Sequence, residues 1–168
     1  MKVSMRTEYG LRAIVTLCDM SNHSGRAVPL REIAAFEEIP EAFLDQIFGS
    51  LRKEGIVQSV RGAAGGYRLT KPAEEISMGQ LIQILEGNLA PMACVGDADA
   101  VAEEFCIKAS RCHTRSVWLR LYESISAVLN NISLAEIVRL ESVPSVPDSL
   151  RLDIGAQADK DARSAARG

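Results

Sequence analysis

Aromatic side chains are scarce: Phe, Tyr and Trp make up 5% of the 168 residues, with a single Trp. A ligand barrel lined by aromatic rings is therefore not expected. Histidine is scarcer still, with two, His23 and His113, both in expected loops. No nucleophile–base pattern stands out, which speaks against an enzyme. No run approaches the ~18 consecutive apolar residues of a membrane span. Arg6, Glu8 and Arg12 break up the N-terminal segment, so no signal peptide is expected. These absences point to a cytoplasmic protein away from membranes. Thiols stay reduced there, and clustered cysteines then suggest metal or redox chemistry more than disulfides.

What is present is an ordinary globular composition, 47% hydrophobic and 24% charged. The length suffices for one core and a second, smaller element. The net charge of −3 argues against nucleic acid as a partner, but the distribution argues for it. Between Arg52 and Lys71 stand five bases (Arg52, Lys53, Arg61, Arg68, Lys71) against one acid, Glu54. A local basic patch decides phosphate contact more than the whole-chain sum.

Apolar spacing predicts a helix over residues 4–22, with Leu11, Ile14, Val15 and Cys18 on one face. A second helix covers 30–37 and is interrupted by Ile39-Pro40. A third, EAFLDQIFGSLRKEG, carries Leu44, Ile47, Phe48 and Leu51 at i, i+3, i+4 and i+7. Arg52 and Lys53 sit in its last turn, and Gly55 follows as a stop. The period then changes. IVQSV, RGAAGG and YRLT form a hairpin with a wide, glycine-rich, basic tip. Three helices and a hairpin in that order make a winged helix-turn-helix.

Ser77 and Gln80 open a further helix that ends at Gly87. Thr114 is placed to cap a long helix reaching about Asn130. Val117, Leu121, Ile125, Val128 and Ile132 mark one face of it, and Trp118, Tyr122 and Leu129 a second. One of these faces is expected to meet a partner subunit. Ser133 and Glu136 open a last short helix, and the Ala/Asp/Arg-rich run from Glu141, with Pro144 and Pro147, reads as a disordered tail. The expected fold class is mainly α with a small β-hairpin wing. Its parts are a winged helix-turn-helix domain (1–86), a cysteine-bearing loop (87–113), a dimerisation helix with a short C-terminal helix (114–140) and the tail (141–168).

Cys94, Cys106 and Cys112 are separated by eleven and then five residues. Neither gap is the two-residue spacing of zinc ribbons, so structural zinc is disfavoured. Cys18, in line with Leu11, Ile14 and Val15, reads as a small buried hydrophobe. An iron–sulfur cluster normally takes four protein ligands, so three thiolates leave one position to another side chain. His113 adjoins Cys112 and would need a strained turn to share its metal. Asp97, Asp99, Glu103 and Glu104 are alternatives that read equally as a solvated acidic loop. The plain alternative to any cofactor is three reduced thiols.

PLREIA, LDQIFGSLRKEGIVQSVRGAAGGYRLTKP, three cysteines after the next helix, and LNNISLAEIV together resemble the IscR, NsrR and RirA group of bacterial winged-helix regulators. The likeness covers about residues 1–140 and is strongest to IscR-like members. It implies a homodimer that binds double-stranded operator DNA and carries an oxygen-sensitive iron–sulfur cluster in the 87–113 loop, with assembly machinery as cluster donor. A two-iron (2Fe-2S) cluster and repression of cluster-assembly or iron and redox homeostasis genes follow from the IscR likeness. A four-iron (4Fe-4S) cluster sensing nitric oxide, of the NsrR type, is the alternative. In the IscR pattern a histidine three residues after the last cysteine completes the site; here Arg115 stands there. In some relatives an acid on the partner's first helix does so, and Glu8 matches that position, ahead of His113. The first gap is also longer than in IscR-like members. A non-thiolate ligand makes a cluster easier to lose or oxidise, which suits a sensor. A carrier protein without operator binding is the competing reading, but it has no need of RGAAGG or the basic patch.

On the third helix, Glu41, Ala42, Asp45 and Gln46 lie off the apolar stripe near the N-terminus, where a recognition helix meets bases. Gln46 can read adenine, and Asp45 can accept from the cytosine amino group. An acid so near phosphates selects rather than adds affinity, and the resemblance implies a role for Asp45 in choosing the operator class. Arg61 is placed for the minor groove or a phosphate. Gly62, Gly65 and Gly66 let backbone come close to DNA. Arg52, Lys53 and Arg68 are phosphate candidates, each steepening the salt dependence by ~0.9 log units. The bland reading is a solvated basic surface and a simple turn.

Overall fold

Ser4 opens helix α1 (Met5–Ser24) by accepting the Thr7 amide on its hydroxyl. The helix runs past residue 22, through His23, because Gly25 (φ 65°) supplies the left-handed cap and returns its amide to Ser21. The computed structural model describes residues 3–62, 65–95 and 106–140. Helices α2 (Leu30–Glu37) and α3 (Glu41–Lys53) follow. Glu38 turns the chain between them at φ 56°, and Ile39 is buried there.

Strands β1 (Val57–Val60) and β2 (Gly66–Leu69) pair antiparallel, Val57 opposite Leu69 and Val60 opposite Gly66. The wing gains a third contact that has no local sequence signal. Val28 and Tyr67 exchange both backbone hydrogen bonds at 2.8 Å. A Cβ on Gly66 would lie 2.3 Å from the Val28 backbone, so only glycine fits there.

Helix α4 (Met78–Glu86) is capped by the Ser77 hydroxyl on the Gln80 amide. Helix α5 (His113–Asn131) starts two residues earlier than a Thr114 cap would place it, with Cys112 at the cap position and Thr114 inside the first turn. In α6 (Leu134–Val138) Ser133 accepts the Glu136 amide as anticipated. Backbone bonds from Met78 to Ile132 and from Leu134 to Ile76, both 2.8 Å, return the chain to the first domain.

One core holds these elements. Leu44, Ile47, Phe48 and Leu51 of α3 are fully buried with Ile14 and Leu17 of α1, Ile33 of α2, Leu81 of α4 and Leu134 of α6. Burying each such side chain stabilises the fold by roughly 1.5–3 kcal/mol. Cys18 belongs to this core, and burial pushes its thiol up. Among the described residues, no helix is long and apolar enough to cross a membrane. The acids Asp97, Asp99, Glu103 and Glu104 and the expected tail from residue 141 lie outside the described residues.

Candidate DNA-reading surface and thiol centre

With its apolar stripe fixed in the core, α3 must turn its opposite face outward. Glu41, Ala42, Asp45 and Gln46 are all exposed on that face. At about 100° per residue, Ala42, Gln46, Gly49 and Lys53 form its outermost ridge. Ser50 faces sideways instead. Its hydroxyl accepts from an Arg6 terminal nitrogen at 2.6 Å and donates to the Gln46 carbonyl at 3.3 Å, which ties α1 to α3.

The wing is fastened to the same helix. Tyr67 packs edge-on against Phe48 with ring centroids 4.9 Å apart. The Thr70 hydroxyl donates to the Ile56 carbonyl at 3.1 Å. Gly62 holds φ 113°, and the Gly65 amide bonds back to its carbonyl at 2.9 Å, narrowing the hairpin end. Arg52, Lys53, Arg61 and Arg68 are exposed, and among the described residues none is in an ion pair. They do not form one cluster. Arg68 lines a cleft of about 390 Å³ with Arg26, Lys71, Glu74 and Arg139, between β2, the end of α1 and α6. Lys53 instead borders a groove between α3 and α4 with Gln80 and Gln83.

Cys94, Cys106 and Cys112 are free, half-buried thiols. Buried Val95 and Ala109 anchor the chain beside them. Cys112 stands at the N-terminus of α5, where the helix dipole favours a thiolate. The Thr114 hydroxyl lies 3.2 Å from its sulfur. This contact, then the Arg115 amide, lowers the Cys112 thiol below its ordinary value. The sequence reading noted Arg115 only as a departure from the IscR pattern and missed its contacts. Its Nε donates to the Cys94 carbonyl at 2.8 Å, and its amide bonds the Cys112 carbonyl at 3.2 Å. One residue thereby links the first and last thiols' backbones, and a guanidinium cannot itself ligate iron. Glu8 and His113 are both exposed. Among the described residues, no three His, Cys, Asp or Glu side chains are grouped closely enough to hold a metal.

A second contact missed in the sequence lies just before this loop. The Glu86 carboxylate, at the end of α4, accepts from the Ser4 hydroxyl at 2.6 Å, the Ser4 amide at 3.1 Å and the Thr7 hydroxyl. These donors, the Ser4 hydroxyl first, hold Glu86 below the usual carboxylate range. A lowered carboxylate stabilises the fold in full above its unfolded pKa, ~4.3, and loses that contribution as pH falls through the folded value. Glu86→Gln is therefore expected to lower the thermal midpoint at pH 7. The gap to wild type should narrow steadily below pH ~4. Thermal unfolding of both chains across that range checks it, and a pH-independent gap would assign the loss to packing.

An outward recognition helix, a hairpin fastened beside it and exposed cations along both define a winged helix-turn-helix transcription regulator. The Rrf2 family, described as iron-dependent transcriptional regulator, matches residues 3–140, and the chain belongs to it. Its relatives regulate transcription and are not enzymes. The chain is 39% identical over 143 residues to the HTH-type transcriptional regulator IscR of Serratia proteamaculans, covering 84% of each. Among solved structures it is similar to T. potens IscR, with 31% identity and a TM-score of 0.64 over 86% of this chain and 94% of that one. It is also similar to CymR, the global cysteine regulator of B. subtilis, with 27% identity and a TM-score of 0.65 over 84% and 99%.

Proposed function

We propose that this regulator acts in the cytoplasm as a homodimer and senses an iron–sulfur cluster, repressing genes of cluster assembly or of iron and redox homeostasis. The observation that carries the reading is one chain joining an open recognition helix to three free thiols on either side of residues 96–105. The donor set fits the cofactor: three soft thiols, one already lowered, suit iron and sulfide better than a hard cation. Cys94, Cys106 and Cys112 would hold the cluster, with Glu8 of a second copy, or else His113, in the fourth place. A bound cluster would supply a redox- and iron-responsive crosslink between the segments that carry Cys94, Cys106 and Cys112. In this reading residues 1–86 bind DNA, 87–113 hold the cluster and 114–140 carry the dimer helix.

The surface of α3 and the wing meets the operator. Gln46 and Asp45 face base edges, with Glu41 and Ala42 beside them. Arg61, with Gly62, Gly65 and Gly66, approaches the adjacent groove, and Arg52, Lys53 and Arg68 meet phosphates. Two-iron sensing follows the IscR likeness. Nitric-oxide sensing of the NsrR type is a second reading, favoured by Arg115: it holds the Cys94 carbonyl where IscR-like chains have a ligating histidine. Selection from a randomised duplex pool tests the DNA function. Wild type is expected to enrich one sequence and to bind it with steep salt dependence. Arg61→Ala should weaken binding and flatten the log–log salt slope by ~0.9. A chain that enriches nothing favours the carrier reading.

A further inference from the structure

Each described glycine but one has a reason inside the molecule. Gly25, Gly55, Gly62 and Gly87 adopt left-handed φ values. A Cβ on Gly10, Gly65, Gly66 or Gly79 would lie 2.0–2.6 Å from Leu85, Val60, Val28 or Asn130. Gly49 differs. It sits in ordinary helical backbone in the interior of α3, and a Cβ there would meet nothing within 4 Å. Neither backbone geometry nor packing asks for glycine, and glycine in a helix interior costs stability relative to alanine. Whatever requires it lies outside the described residues.

Its position indicates what that is. Gly49 lies on the outermost ridge of α3, one turn after Gln46 and one turn before Lys53. Its neighbour Ser50 is turned aside and held by Arg6. Arg52 and Lys53, exposed and in no ion pair among the described residues, flank the same face, which suits phosphate rather than an apolar protein surface. We propose that Gly49 is a close-approach position of the DNA interface. Its missing side chain lets the middle of α3 rest against the groove wall, so that Gln46 reaches base edges. This inference rests on the reading of α3 as the recognition helix.

The test reads two quantities that should move in opposite directions. Wild type, Gly49→Ala and Gly49→Leu are compared on the duplex that wild type enriches from a randomised pool, and on an unrelated duplex. Gly49→Ala is expected to raise the thermal midpoint by ~2–4 °C, since alanine is the better helix former. It should also weaken binding to the enriched duplex about tenfold or more, the worth of a lost base contact. Gly49→Leu should weaken it further, while binding to the unrelated duplex stays within about twofold, being set by phosphates. Unchanged affinity for the enriched duplex overturns the inference, and so does a lowered midpoint in Gly49→Ala. A loss that tracks dissociation of the oligomer assigns Gly49 to a protein contact and overturns it too. If wild type enriches no sequence, the DNA reading itself fails, and this inference with it.

Discussion

Protein purified without oxygen is expected to be coloured and to contain iron, and Cys106→Ala to lose both. Only three thiols outside the core are available, since Cys18 is buried in the core of the first domain. Removing one leaves two thiolates and an oxygen or nitrogen donor, too few for a cluster that normally takes four. Iron content per chain should fall more than tenfold, since even removal of an outer-shell partner costs a metal site roughly 10–100-fold in affinity. Cys18→Ala is the control. It removes a thiol of the same element count and should keep colour and iron. Glu8→Ala and His113→Ala separate the fourth-ligand candidates: the true ligand's loss shifts the absorption spectrum, the other's leaves it unchanged. Colourless, iron-free wild type after anaerobic reconstitution would sink the cofactor reading, leaving a thiol-only regulator. Titrating the coloured protein with nitric oxide then separates the NsrR-like signal from the IscR-like one.

The features legible in the sequence were those with a local period. Leu44, Ile47, Phe48 and Leu51 repeat at helical spacing, and all four are buried. Cys18 was placed by the same rule and lies in the core. Long-range contacts leave no such trace. The Val28–Tyr67 bridge joins residues far apart in the chain, so no window contains both. Glu86 meets Ser4 across 82 positions, and Arg115 meets Cys94 across 21. Nothing local to Ser4 or Thr7 names Glu86 as their acceptor. Thr114 illustrates a near miss. A cap residue was expected beside the last cysteine, but Cys112 takes that place and the Thr114 hydroxyl turns back to its sulfur. Thus the feature that conditions the thiol is a consequence of where the helix starts, two residues from where capping preference alone put it.

Leu121→Asp is expected to convert the protein to monomers and to weaken operator binding about a hundredfold or more. Helix α5 has no fully buried residue, which is unusual for a long helix with two apolar sides. Val117, Trp118, Leu121 and Val128 remain 63%, 38%, 44% and 59% exposed. Its inner side is accounted for, because Asn130 lies against Gly79 of α4 so tightly that a Cβ there would sit 2.0 Å from its side chain. The outer side is spaced at i, i+1, i+4 and i+11, one helical face, and a second copy of the same face would cover it. In that dimer an aspartate at the middle of the face would bury a charge in each subunit, which such an interface does not tolerate. Each monomer then binds one half-site, and the gain from two linked recognition helices is lost. The chain carries its own reporter, for its one Trp is Trp118 on this face. Fluorescence should be blue-shifted in wild type and move red in Leu121→Asp, in step with the sedimentation change, while helix content holds. A variant that stays dimeric with unchanged emission would place the subunit interface elsewhere. A monomer that still binds the operator at wild-type strength would make dimerisation dispensable for DNA recognition.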